Sequence, residues 1–182
     1  MNRISIPAAD QTPAASRPLL DAVNKQLGVV PNLMKVLGNS PAALGGYLSL
    51  NGAIGKGALG AKTGERIALA IAEINGCGYC LAAHTYLGKN VAKLDDAEIA
   101  ANRNGTSTDA KADAAVRFAA QVARARGHAS DADVQAVKDA GFSDAEVMEI
   151  VVHVALNTLT NYVNEVAQTE IDFPAVELRR AA

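Results

Sequence analysis

The apolar residues of this 182-residue chain recur at intervals of three and four positions, the spacing of one face of an α-helix. Ile67, Ala70, Ile71 and Ile74 follow this spacing in the segment TGERIALAIAEIN, and the segment DAKADAAVRFAAQVARAR repeats it over residues 109–126. The chain contains no hairpin signal, no βαβ alternation and no strict internal repeat. The pattern therefore predicts an all-α helical bundle that forms a single domain.

Capping residues and helix breakers divide the chain into a series of predicted helices. They cover about 19–27, 33–38, 41–54, 63–74, 77–90, a short stretch after 95, 109–126, 130–140 and 143–168. Asp95 with Glu98 and Ser143 with Glu146 have the spacing of capping boxes. We predict an extended N-terminal arm over 1–16, a helical domain over 17–174 and a loosely ordered C-terminal tail over 175–182.

The composition favours closely packed helices. Alanine occurs 37 times, tryptophan is absent and aromatic residues make up 4% of the chain. Alanine is the best helix former, whereas sheets are enriched in β-branched and aromatic residues. We therefore expect a core in which small side chains let helix backbones approach one another.

The charge balance and the absence of a long apolar segment argue against nucleic-acid and membrane partners. Seventeen basic and 19 acidic residues give a formal net charge of −2, and the pI is near 5.9. Nucleic-acid binding would require a basic patch, and the longest basic run here is Arg179-Arg180. No segment resembles a targeting sequence or supplies the roughly 18–20 apolar residues of a membrane span. We therefore expect a cytoplasmic protein that binds neither nucleic acid nor membranes.

Cys77 and Cys80, the two cysteines of the chain, form a C-x-x-C pair. In a reducing compartment such a pair is more often redox-active or metal-binding than structural. At about 100° per residue on a helix, Cys77, Cys80 and His84 lie at about 0°, 300° and 340°, so all three share one stripe. The helix dipole favours Cys77 as the more acidic thiol, whereas the neighbouring imidazole favours Cys80. Zinc is disfavoured, because C-x-x-C-x-x-x-H supplies three ligands where a closed structural site uses four.

Two carboxylates are candidates for the proton acceptor of His84. If a break at Asn75-Gly76 folds two helices into an antiparallel pair, Glu65 lies opposite His84 and can orient its imidazole. Glu73 is a nearer competitor for this role.

Three other polar residues are assigned structural positions. His128 follows a glycine in a predicted loop and is expected to be solvated. His153 lies inside the apolar run EIVVHVAL and is expected to be a core residue. Tyr79, between the cysteines, is expected to pack against its neighbours or to lie at the rim of the site, and a contact through its hydroxyl is the less favoured alternative.

The arrangement E-x(11)-C-x-x-C-x(3)-H, formed by Glu65, Cys77, Cys80 and His84, resembles the motif of the AhpD-like alkylhydroperoxidase branch of the carboxymuconolactone decarboxylase family. The segment VPNLMKVLGNSPAALGGYLSLNGAI resembles the family's approach to this motif. The segment ALNTLTNYVNEVAQTEIDFP resembles the C-terminal part of peroxidase-related members. The resemblance spans about residues 27–174 and implies an AhpD-like all-helical fold that assembles into homo-trimers or homo-hexamers.

The resemblance also implies a peroxiredoxin-type peroxidase that reduces organic hydroperoxides or hydrogen peroxide without a metal, haem or other cofactor. Carried over residue by residue, Cys80 is the peroxidatic thiol, Cys77 resolves its sulfenic acid, and Glu65 with His84 forms a proton relay. The resulting disulfide is reduced by an external dithiol, such as that of a lipoyl or thioredoxin-like protein. This chain has Tyr79 where the best-known form of the family has a relay histidine, which predicts a shorter relay.

Three other functions use the same residues. One is a general dithiol–disulfide oxidoreductase, which needs no peroxide. Another is a redox-sensing helical oligomer that forms the disulfide without turnover. The third is the lactone decarboxylation for which the family is named, although that reaction has no need for a redox dithiol.

Overall fold

The computed structural model describes residues 2–179, and within this range it consists of nine α-helices without a β-strand. The helices are α1 (Arg17–Leu27), α2 (Asn32–Leu37), α3 (Pro41–Ile54), α4 (Ala61–Ile74), α5 (Gly78–Asn90), α6 (Asp96–Arg103), α7 (Ala110–Arg124), α8 (Asp131–Asp139) and α9 (Asp144–Ala167). Over these residues, none of the helices has the length and apolar character of a membrane span. The predicted all-α, single-domain fold is confirmed.

Most helix ends fall where the capping signals predict them. The Ser40 side chain caps α3, and Ser130 and Ser143 begin α8 and α9 with complete capping boxes. Gly28 ends α1 in the left-handed conformation, with φ of 74°. α4 differs, since it begins at Ala61, two residues before the predicted start.

The capping box predicted for Asp95 and Glu98 is only half formed. The Asp95 carboxylate accepts a hydrogen bond from the Glu98 backbone N–H at 2.8 Å. The Glu98 side chain, however, turns inward to the guanidinium of Arg66, with 2.7 Å between Oε1 and Nε. The same carboxylate accepts further hydrogen bonds from three residues: Asn102, Ser107 and Thr108. Glu98 thus joins α4, α6 and the loop before α7 through one buried, fully bonded charge.

α4 lies at the centre of the bundle, where it packs against α5, α6, α7 and α9. The sequence predicts a single apolar stripe, but every residue from 66 to 72 is buried. Ala68, Ala70 and Ala72 keep the helix narrow enough for neighbours to pack on all sides. This central helix carries Glu65 and leads through a short turn to the cysteines.

Residues 168–179 lie against the helices beside the first turn of α5. Asp172 accepts hydrogen bonds from the Tyr79 hydroxyl and from the backbone N–H of Asn32, both at 2.8 Å. The ring of Phe173 packs edge-on against Tyr79, with 5.8 Å between ring centroids. Tyr79 therefore anchors the C-terminal segment and α2 to the C-x-x-C turn.

Residues 175–179, which belong to the tail predicted over 175–182, contact the helices. Val176 packs against the apolar core, and the Glu177 carbonyl accepts a hydrogen bond from Arg103 at 2.7 Å. The remaining residues of this tail, 180–182, and the first residue of the predicted arm lie outside the described residues.

Candidate active site

α4 and α5 form the predicted antiparallel pair around a turn at Asn75 and Gly76. Gly76 has φ of 67°, a conformation that glycine adopts without strain. The pairing places Glu65 Oε2 at 2.9 Å from His84 Nδ1. Glu73 instead forms an ion pair with Arg103 at 2.6 Å. Glu65 is therefore the carboxylate partner of His84, and Glu73 is not.

The two free thiols occupy different positions at the start of α5. Cys77 is the N-cap residue, and its Sγ accepts a hydrogen bond from the Cys80 backbone N–H at 3.4 Å. Cys77 is fully buried and Cys80 is 3% exposed. The Cys80 side chain lines a cavity, whereas Cys77 is not among the residues of its wall.

α9 supplies polar partners that sequence reasoning missed. Nδ2 of Asn164 lies 3.2 Å from Cys80 Sγ. Asn161 lies on the same face, and its Oδ1 accepts a hydrogen bond from Asn75 Nδ2 at 2.8 Å. The available signal was the spacing of Asn157, Asn161 and Asn164, which places three amides on one helix face.

The contacts around the thiols separate their acidities. A hydrogen bond from Cys77 lowers the pKa of Cys80, and the His84 charge and the α9 amides lower it further, against the opposing effect of burial. The hydrogen bond to Cys80 and burial raise the pKa of Cys77. Burial lowers the pKa of His84, but the charge and hydrogen bond of Glu65, with Cys80, outweigh it and raise that pKa overall. These directions favour Cys80 as thiolate beside a protonated His84, contrary to the helix-dipole argument for Cys77.

A cavity of about 180 Å³ lies between α2, α3, α4, α5 and α9, in front of Cys80. Part of its wall is apolar: Leu33, Ile54, Ala68 and Leu156. Four other residues of the wall have side chains that ionise or donate hydrogen bonds: Tyr47, Glu65, His84 and His153. His153 is therefore a cavity residue and not the core residue that its apolar neighbours suggested, whereas His128 is exposed as predicted. A larger cavity of about 500 Å³ beside α7 contains neither cysteine nor histidine in its wall.

Replacing Asn164 by leucine is expected to raise the pKa of Cys80, because the thiolate loses a buried amide donor. Hydrogen bonds to charged groups contribute about 1.5–3 kcal/mol, so the rise is expected to be about one pH unit or more. The pH dependence of Cys80 alkylation by iodoacetamide, followed by mass spectrometry, measures it. At pH values below the midpoint of the unmodified protein, the alkylation should be about tenfold slower than in that protein.

The matched control is Asn24→Leu, on the exposed surface of α1. This variant should keep the original alkylation midpoint. An unchanged midpoint in Asn164→Leu would show that the amide does not stabilise the thiolate.

The helical fold and this site define a helical dithiol protein in which an acid–base pair adjoins the more acidic thiol. Residues 41–125 match the model of the carboxymuconolactone decarboxylase family. This is the family that the sequence motif resembles, and the matched segment includes Glu65, Cys77, Cys80 and His84. No curated protein matches the sequence.

Solved structures share the fold over nearly the whole chain. An uncharacterized peroxidase-related protein from Ralstonia eutropha JMP134, described as an alkylhydroperoxidase AhpD core, is 24% identical, with a TM-score of 0.84 and coverage of 94% of this chain and 92% of that one. An uncharacterized peroxidase-related protein from Silicibacter sp. TM1040 is 24% identical, with a TM-score of 0.81 and coverages of 93% and 91%. The debrominase Bmp8, solved as a variant with 2,3,4-tribromopyrrole, is 18% identical, with a TM-score of 0.75 and coverages of 93% and 91%. The fold of this chain is therefore AhpD-like.

Proposed function

We propose that this protein is a thiol peroxidase that reduces organic hydroperoxides or hydrogen peroxide through Cys80 and Cys77. The observation that carries the proposal is the environment of Cys80, a cavity-lining thiol whose pKa is lowered by contacts with Cys77, His84 and Asn164. A thiolate is the nucleophile in peroxide reduction, and a second thiol beside it prevents further oxidation.

The reaction follows from this arrangement in two steps. The Cys80 thiolate attacks the terminal peroxide oxygen, so an S–O bond forms, the O–O bond breaks and the alkoxide leaves. His84, oriented by Glu65, gives the alkoxide its proton, and Cys80 remains as a sulfenic acid. The Cys77 thiol then attacks the Cys80 sulfur, which forms the disulfide and releases water. An external dithiol restores both thiols and is itself oxidised to a disulfide.

The burial of the thiols argues against a general role in exchange with protein disulfides. Cys77 is fully enclosed and Cys80 is reached through a cavity of about 180 Å³. A small peroxide or a slender dithiol fits this space, whereas the disulfide of a folded protein does not reach the sulfur without rearrangement. Peroxide reduction with a small or extended dithiol donor is therefore the better-supported function.

The apolar part of the cavity wall favours a second candidate, reductive dehalogenation of a small organic halide. The Cys80 thiolate would take bromine from carbon, the carbon would gain a proton, and Cys77 would displace bromide to form the same disulfide. The debrominase with a similar fold carries a bromopyrrole. Free bromide released from 2,3,4-tribromopyrrole, measured beside the peroxide assay, distinguishes the two candidates.

The test is a titration of the reduced protein with tert-butyl hydroperoxide. One equivalent of peroxide is expected to remove two free thiols per chain and yield one equivalent of tert-butanol. Added dihydrolipoamide should then sustain turnover, while the same mixture without protein serves as the control. If both thiols remain reduced in excess peroxide, the proposed function is wrong.

A further inference from the structure

Two polar residues of the cavity have no part in the relay of Glu65 and His84. Tyr47 comes from α3 and His153 from α9, so they reach the cavity from elements other than the α4–α5 pair. Both lie close enough to Glu65 to interact with its charge. They therefore share the cavity with the reacting thiol without being part of the sequence motif.

The Tyr47 hydroxyl is a neutral donor at physiological pH. Burial, followed by the negative charges of Cys80 and Glu65, raises the pKa of Tyr47 to about 12. In the described part of the chain, no hydrogen bond to a protein group contributes to this shift. The hydroxyl is thus available to a molecule bound in the cavity.

His153 is held at the cavity by a close approach to α4. A Cβ atom at Gly64 would lie 2.8 Å from the Cε1 atom of the His153 ring, so the ring packs where α4 has no side chain. Burial lowers the pKa of His153, and nearby His84 lowers it further, against the effect of Glu149 and Glu65. The imidazole is therefore neutral at pH 7, with one donor and one acceptor nitrogen.

We propose that Tyr47 and His153 together bind the hydroperoxide group of the substrate in front of Cys80. This inference rests on the proposed peroxidase function. A hydroperoxide has one O–H donor and two acceptor oxygens, which a neutral hydroxyl and a neutral imidazole complement. The apolar part of the wall would receive the organic portion of the substrate.

The two residues act on different oxygens during the attack. His153 accepts a hydrogen bond from the terminal O–H, which remains on sulfur in the sulfenic acid. Tyr47 donates to the carbon-bound oxygen, where negative charge develops as the O–O bond breaks. His84 supplies the proton that converts this alkoxide to the alcohol. Tyr47 therefore stabilises the leaving group, and His153 orients the oxygen that is attacked.

The test compares two reactions of the same thiol. Tyr47→Phe and His153→Leu are each expected to lower the rate constant for Cys80 oxidation by tert-butyl hydroperoxide about tenfold, the effect of about one hydrogen bond. Alkylation of Cys80 by iodoacetamide, which offers no peroxide oxygen, should change by less than about twofold. His153→Gln restores a polar group and should recover much of the oxidation rate.

Gly64→Ala is also expected to slow the oxidation of Cys80 by tert-butyl hydroperoxide, because the Cβ of the alanine displaces the His153 ring. Gly46→Ala in α3, where a Cβ meets nothing within 4 Å, is the matched control and should react as the unmodified protein does. The proposal is overturned if peroxide oxidation is unchanged in Tyr47→Phe and His153→Leu, or if oxidation and alkylation fall together. Failure of the unmodified protein to react with peroxide would instead overturn the proposed function.

Discussion

Replacing Cys80 by serine is expected to lower hydroperoxide turnover by at least about a thousandfold, because the hydroxyl group does not supply a nucleophile comparable to the thiolate. Among the described residues, Cys80 is the thiol that lines the cavity and receives a donor from α9. Turnover is measured as peroxide consumption in the presence of dihydrolipoamide. Cys77 should remain a free thiol in this variant after exposure to peroxide.

The companion variant Cys77→Ser separates the roles of the two sulfurs. Serine is a good N-cap residue, so it can replace the Cys77 sulfur as acceptor for the Cys80 backbone N–H. Cys80 should be oxidised once, accumulate as a sulfenic acid and stop, which mass spectrometry after brief peroxide treatment detects. A stable sulfenic acid on Cys77 in Cys80→Ser, with none on Cys80 in Cys77→Ser, would reverse the assignment.

The largest expected loss of stability follows Glu98→Gln, which removes the charge but preserves the volume. The Glu98 side chain is 5% exposed, and its oxygens face only donors, including the Arg66 guanidinium at 2.7 Å. The amide would direct its own donor at these groups and leave the buried Arg66 with only the carboxylate of Asp109, 4.0 Å away. A reduction of about 3–5 kcal/mol in the free energy of unfolding is expected.

Urea unfolding measures this loss as a lower midpoint with an unchanged slope. Glu170→Gln, at an exposed position, is the matched control and should change stability by less than about 0.5 kcal/mol. Burial raises the pKa of Glu98, but donors led by Ser107 and Thr108 outweigh it and lower that pKa to about 2. The Glu98 carboxylate therefore contributes its full stabilisation above the unfolded pKa of about 4.3, and this contribution is lost as pH falls towards 2. At that pH the stabilities of the unmodified protein and of Glu98→Gln should converge. Equal stability of the unmodified protein and of Glu98→Gln at pH 7 would contradict the stabilising role assigned to the Glu98 carboxylate.

The sequence predicted the features that depend on local spacing. Ser40, Ser130 and Ser143 cap helices because the hydrogen bond of an N-cap residue closes within three positions. The Cys77–Cys80–His84 stripe lies along one helix. Glu65, the carboxylate partner of His84, lies on the preceding helix, which a single turn joins to it. These parts required no knowledge of which distant elements meet.

The missed features all depend on contacts between elements far apart in the chain. Asn164 reaches Cys80 across 84 positions, and Gly64 receives the ring of His153 from α9. An apolar neighbourhood places His153 inside the protein, but it does not reveal a cavity beside it. Asp172 likewise secures the C-terminal segment through Tyr79, a residue whose hydroxyl has no partner within its own helix.

The burial of α4 on every side also bears on how this sequence can diverge over generations. From residue 66 to residue 72, each side chain is enclosed, so enlarging Ala70 or Ala72 must displace a neighbouring helix. α1 and α8 are mostly exposed and accept substitutions at far lower cost. Lineages that retain this fold are thus free to vary at its periphery, while the helix that carries Glu65 keeps its side-chain volumes nearly constant.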